Sequence, residues 1–178
     1  MYGEVGIKSM RVYELSVSTT RRCNMRCDAC LRGEPETVDI DERVMPKVFD
    51  EVGVIRRLCI TGGEPTLNVP ALRQIVSLME SRKCVTENIF LITNGKEYAE
   101  EVCELFRRMV ELCTRNVSSE FVLATSEFHE SAPGVRDYMR WRHENSARYI
   151  VRKVVGNPQS NWVIDTGRAQ TMGLGRRG

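Results

Sequence analysis

The sequence predicts an α/β fold in which parallel strands, each followed by a helix, form an open partial (β/α)6 barrel. Three observations carry this. Short apolar runs alternate with amphipathic stretches through the fifth strand, a pattern that produces parallel strands with right-handed crossovers. The 178 residues fall short of the ~250 that a closed eight-unit barrel needs. A cluster of cysteines follows directly on the first strand, at the end where folds of this kind place their chemistry.

Composition sets the bounds. Hydrophobic residues at 42% and charged residues at 28% describe a water-soluble chain that can bury a core of its own, so residues 1–178 are read as a single domain. Seven cysteines are too sparse for a disulfide scaffold, and three of them sit in a metal-type cluster, which points to a reducing compartment. Met1 to Met10 contains no apolar stretch of signal-peptide length, and no apolar run approaches the ~18 residues of a membrane span. A cytoplasmic protein without membrane contact is expected. The net charge is +2 but unevenly spread, with nine Lys/Arg against three Asp/Glu from Ala132 to Gly178. Such a basic third suits an anionic ligand or a solvated face.

The elements follow in order. Val12 to Val17 alternates apolar and polar residues and reads as strand one. Leu31 to Asp39 is a loop. Asp41 can cap a helix running to about Val52, although Pro46 lies too deep for its first turn, so that helix starts later or kinks. Arg57 to Thr61 is a short buried strand ending in Gly62-Gly63-Glu64-Pro65. Asn68 to Pro70 opens a helix whose Val69, Leu72, Ile75, Val76 and Met79 recur at a 3.6-residue period. Ile89 to Thr93 is strand three, closed by Asn94-Gly95, and Tyr98 to Cys113 is an amphipathic helix. Phe121 to Ala124 is strand four and Pro133 to Ala147 an arginine-rich helix. Arg148 to Val155 is strand five and Trp162 to Asp165 strand six, followed by Gly167-Arg168-Ala169. Residues 173–178 form a Gly/Arg tail, expected to be flexible. Cys59, Cys103 and Cys113 fall on core positions; Cys84 lies in a loop and receives no role.

The chemistry is concentrated in Cys23-Asn24-Met25-Arg26-Cys27-Asp28-Ala29-Cys30. Thiolates at this pitch can close on one soft metal centre. Zinc sites and ordinary ferredoxin clusters take four protein ligands, whereas the local count here stops at three, which leaves one metal position open. A zinc knuckle with a distant fourth ligand and three unconnected core cysteines are the plainer alternatives. One βα unit later, the two glycines let a backbone edge approach closely, and Glu64 projects an acceptor into that space.

Together, the Cys-x3-Cys-x2-Cys loop and the Gly-Gly-Glu turn resemble those of the radical S-adenosylmethionine (SAM) enzymes. The resemblance spans residues 13–169 and implies a partial TIM-like barrel. It implies one 4Fe–4S cluster on Cys23, Cys27 and Cys30, with SAM chelating the open iron. It places the SAM amino group at Gly62, Gly63 and Glu64, and the ribose or methionine part at Ser126, with Glu127 second. The family often has an aromatic residue directly before the third cysteine, where this chain has Ala29. The implied activity is reductive cleavage of SAM to a 5′-deoxyadenosyl radical that takes a hydrogen atom from a substrate. An external one-electron donor of flavodoxin or ferredoxin type is implied as partner. His129 and Glu127 are candidate catalytic residues. Gly167-Arg168-Ala169 recurs in peptide-modifying branches and favours a peptide or protein side chain as substrate. An activase that installs a glycyl radical on a partner enzyme is an alternative, as is an enzyme of small molecules or nucleotide precursors. A non-enzymatic iron–sulfur or zinc protein would have no use for the Gly-Gly-Glu turn. With no cysteine after Cys113, a single cluster is expected.

Overall fold

In a computed structural model, residues 10–81, 83–154 and 167–172 are described. Five strands, β1 (Met10–Ser18), β2 (Val52–Thr61), β3 (Val85–Thr93), β4 (Glu120–Thr125) and β5 (Ile150–Val154), pair in that order in one sheet. All four pairings are parallel. Each crossover is helical: α1 (Val44–Glu51), α2 (Val69–Glu80), α3 (Glu100–Leu112) and α4 (Val135–Glu144), with a five-residue helix α5 (Gly167–Thr171) further on. This is the open α/β partial barrel expected. The sixth strand, Trp162 to Asp165, and the tail 173–178 lie outside the described residues.

Alternation along the strands separates two faces. Leu58, Ile60, Ile89, Leu91, Phe121, Leu123 and Ile150 turn to the helices and join Leu72, Ile75, Phe106, Met109 and Tyr138 in one buried core. Phe106 meets Phe121 edge-on at 5.3 Å between ring centroids, and edge-to-face pairing adds to the burial term. The opposite face mixes charged residues with apolar ones such as Phe90, Ile92 and Val122. Arg57 pairs with Glu14 at 3.4 Å, and Lys153 pairs with Glu120 while lying 5.4 Å from the Phe90 ring centroid.

Three local expectations change. Helix α1 begins at Val44, not after Asp41, which puts Pro46 in the first turn where its missing N–H costs nothing. Asp41 instead accepts from the Arg43 guanidinium, which brings its carboxyl down to about 2. Cys59, expected in the core, is only half-buried because it shares the polar face of β2 with Arg57. Cys84, given no role, is buried with Cys103 and Cys113. The α2 boundary stands as expected: Asn68 Oδ1 caps it by accepting from Ala71 N at 3.3 Å, with Pro70 in the first turn.

Candidate active site

The C-terminal ends of β1, β2, β3 and β4 converge, and the predicted site residues lie there. The cysteine loop leaves β1 through a closed neck. Arg21 N donates to Val38 O at 2.7 Å, and Ile40 N donates to Thr19 O at 3.0 Å. Asp39 locks this neck by accepting from Thr20 Oγ1 at 2.6 Å and from Arg22 Nε at 2.9 Å. Those bonds, the Thr20 hydroxyl first, hold its carboxyl below the ordinary range.

The Gly62-Gly63-Glu64 turn packs against this neck. Gly63 N donates to Thr20 O at 2.7 Å and Glu64 N to Arg22 O at 2.8 Å. A Cβ on Gly63 would lie 2.3 Å from Arg22 O, and one on Gly62, whose φ is +158°, 2.6 Å from Thr20 O. The close approach that needs glycine is therefore made to the base of the cysteine loop. The two sequence motifs are parts of one backbone junction.

Glu64 differs from expectation. Rather than projecting into open space, it is 1% exposed. Oε1 accepts from Thr66 N at 3.1 Å, Thr66 Oγ1 at 2.8 Å and Thr93 Oγ1 at 2.7 Å, and Oε2 accepts from Asn94 N at 2.8 Å. A buried carboxylate needs such partners, and the strand ends supply them. Burial still raises its pKa above the usual value, against the lowering effect of the four donors.

Asn94 carries the connection onward. Its Nδ2 donates to Asn24 Oδ1 at 2.9 Å and lies 3.7 Å from Cys23 Sγ. Lys96 reaches the same loop, donating to Asn24 O and to Glu130 Oε2, the latter at 2.8 Å; Glu130 Oε1 accepts from Arg26 N at 2.7 Å. Glu130 thus clamps the loop from the β4 side. On the third side, Arg168 N donates to Cys30 O at 2.9 Å, its guanidinium pairs with Glu34, and Asp28 lies 4.0 Å away. The Gly-Arg-Ala segment is therefore a support of the cysteine loop. Asn94, Lys96 and Glu130 have no site role in the sequence reading, where the Asn94-Gly95 turn after a strand is the local signal; Arg168 appears there only in the Gly-Arg-Ala motif linked to the substrate.

Cys23, Cys27 and Cys30 are half-buried on this loop with free thiols. Burial pushes the Cys23 and Cys27 thiols up, and the neighbouring thiols add to the rise. Among the described residues, no three His, Cys, Asp or Glu side chains are gathered tightly enough to hold a metal as they stand. The sulfurs share one loop without yet sharing one centre. Beyond β4, Ser126 Oγ and His129 Nδ1 are 2.6 Å apart, and burial holds His129 below its ordinary 6.5, favouring the neutral ring. Glu127 is exposed in the same turn.

A family model described as the Radical SAM superfamily matches residues 17–150. The chain belongs to that superfamily. It is 39% identical over 113 residues to a probable GTP 3',8-cyclase of Archaeoglobus fulgidus, covering 58% of this chain and 36% of that protein. It is 28% identical over 141 residues to the GTP 3',8-cyclase of Staphylococcus haemolyticus, covering 71% and 41%. The chain spans less than half the length of these curated relatives. Among solved structures, BtrN in complex with AdoMet and 2-DOIA superposes with a TM-score of 0.54 at 16% identity, over 80% of this chain and 57% of that one. That likeness speaks for the fold.

Radical SAM membership makes this an enzyme and implies a 4Fe–4S cluster, SAM and an external electron donor. The donor set fits such a cluster: three soft thiols on one anchored loop. No described helix is long and apolar enough to cross a membrane.

Proposed function

We propose that Cys23, Cys27 and Cys30 hold one 4Fe–4S cluster, that SAM binds between it and the Gly62–Glu64 turn, and that the substrate is a small polar molecule of nucleotide class. The observation that carries the cluster assignment is the junction itself. The turn expected to meet SAM is hydrogen-bonded to the backbone at the foot of the cysteine loop, at 2.7 and 2.8 Å. When bound, the cluster supplies the electron that cleaves SAM and starts hydrogen abstraction.

The chain's own residues then have distinct tasks. With the Glu64 carboxylate occupied by four donors, the turn meets an ammonium group with the backbone of Gly62 and Gly63, and Glu64 fixes the shape of that backbone. Ser126 and Glu127 face the ribose or methionine part. His129, kept neutral, orients the Ser126 hydroxyl. The substrate reading rests on relatives named for a GTP reaction and on the charged residues of the sheet face turned from the helices. There Glu14, Arg57, Glu120 and Lys153 supply donors and acceptors, and Phe90 a ring for stacking. Arg168, whose motif favoured a peptide substrate, is already employed in holding the loop.

Anaerobic reconstitution followed by dithionite and SAM tests both halves. About four irons per chain and release of 5′-deoxyadenosine are expected, both lost in Cys23→Ala, Cys27→Ala or Cys30→Ala. Added guanosine triphosphate should accelerate the release. Stoichiometric zinc with no iron–sulfur absorption refutes the cluster, and release indifferent to nucleotides refutes the substrate class.

A further inference from the structure

Asn94 directly follows β3, and its side chain is engaged at both ends. Oδ1 accepts from Lys96 N at 2.8 Å, closing an Asx turn. That bond fixes the amide, so Nδ2 faces the cysteine loop, where it donates to Asn24 Oδ1 at 2.9 Å and stands 3.7 Å from Cys23 Sγ. An aspartate would serve the turn equally well. Only an amide also brings two N–H groups, one for each of these acceptors. The backbone is held as firmly, because Asn94 N donates to Glu64 Oε2 at 2.8 Å and Glu64 is itself buried. The Met25 N–H, 3.4 Å from the same sulfur, belongs to the cysteine loop, whereas Asn94 approaches from a separate strand end.

Cys23 Sγ is one of the three sulfurs assigned to the cluster. Negative charge on a thiolate that ligates iron is greater in the reduced state than in the oxidised one. An N–H aimed at such a sulfur therefore stabilises the reduced state more, which is one means by which a protein sets a cluster's potential. We infer that Asn94 donates an N–H···S hydrogen bond to the Cys23 ligand and raises the cluster's reduction potential. The same residue joins the Gly62–Glu64 turn to the cluster, since its backbone holds Glu64 while its side chain reaches Cys23. This rests on the cluster assignment proposed above.

The experiment is an EPR-monitored redox titration, without SAM, of anaerobically reconstituted wild type, Asn94→Ala, Asn94→Asp and Asn24→Ala, with iron counted in each. Asn94→Asp keeps an acceptor for Lys96 N and loses both side-chain N–H groups. At the wild-type midpoint, the reduced-to-oxidised ratio should fall about tenfold in Asn94→Ala, which is a downward shift of about 59 mV for one electron. Asn94→Asp should shift further the same way, because it adds a negative charge. Asn24→Ala removes the neighbouring acceptor and leaves the Cys23 contact, so its midpoint should stay near the wild-type value. An unchanged midpoint in Asn94→Ala with iron in place overturns the inference. So does an equal shift in Asn24→Ala, which would trace the effect to the shape of the loop. If Asn94→Ala holds no iron, Asn94→Asp decides by the same reading; iron lost from both would make Asn94 a residue that retains the cluster, and overturns it too. Wild type without iron refutes the cluster assignment itself, whereas wild type with iron and unmoved Asn94 variants refutes only the role of Asn94.

Discussion

Replacing Gly63 by alanine tests the junction between the two motifs most directly. The new Cβ would stand 2.3 Å from Arg22 O and 2.8 Å from Arg21 O, backbone atoms that no rotamer change can move. Relief requires the turn and the loop neck to separate, which lengthens the bonds from Gly63 N to Thr20 O and from Glu64 N to Arg22 O. Overpacking costs about 1–3 kcal/mol, and each weakened bond about 1 kcal/mol. The sum is about 3–5 kcal/mol, a large part of the roughly 5–15 kcal/mol available to a domain. For a chain of this size it lowers Tm by about 6–20 °C. Gly33→Ala is the matched control. Its Cβ would meet nothing within 4 Å, and only its φ of +79° opposes the change, at about 1–2 kcal/mol. Urea denaturation of the three proteins in parallel, with iron uptake measured on each, gives the comparison. A Gly63→Ala protein as stable as Gly33→Ala, and loading iron as the wild type does, would refute the argument.

Other outcomes are expected. Because burial raises the Glu64 pKa, the native state holds its proton to higher pH than the unfolded chain, so this group's contribution to stability declines as pH rises from the ordinary carboxylate value through the raised one. Glu64→Gln should remove that slope in denaturation series across pH while losing the bond from Asn94 N, at about 1–3 kcal/mol; an unaltered slope contradicts the assignment. His129 carries the opposite sign. Its depressed pKa means stability that is complete above 6.5 and lost as pH falls toward the lowered value, and His129→Gln should flatten this limb. The Lys96–Glu130 pair is open to solvent, so Lys96→Met should leave global stability nearly unchanged. It should nevertheless speed proteolysis within residues 23–30, because Lys96 also holds Asn24 O; equal cleavage rates would show that the clamp is idle.

Much of the fold could be read from local pattern. Leu72, Ile75 and Met79 announce α2, and the runs before Thr61, Thr93 and Thr125 announce β2, β3 and β4, because periodicity and caps are short-range signals. The cysteine spacing and the Gly-Gly-Glu turn located the site for the same reason. What escaped is relational. Whether Glu64 points outward or inward depends on donors at Thr93 and Asn94, some thirty residues away, and no property of Gly-Gly-Glu encodes them. Cys59 was assigned to the core because an apolar run does not say which face of a strand is covered. Pro46 signalled a displaced helix start but could not choose between delay and kink, whereas the structure shows delay.

The tie between Arg168 and the cysteine loop bears on how the protein is made. The Arg168 guanidinium meets Glu34 across 134 residues of chain, and its backbone holds the carbonyl of Cys30. On a ribosome adding about 5–20 residues per second, the three thiols are therefore synthesised roughly 7–27 s before this support exists. During that interval the nascent cysteines are exposed to oxidants and to stray zinc. Closure of the loop over a metal thus waits on the synthesis and return of the segment that carries Arg168.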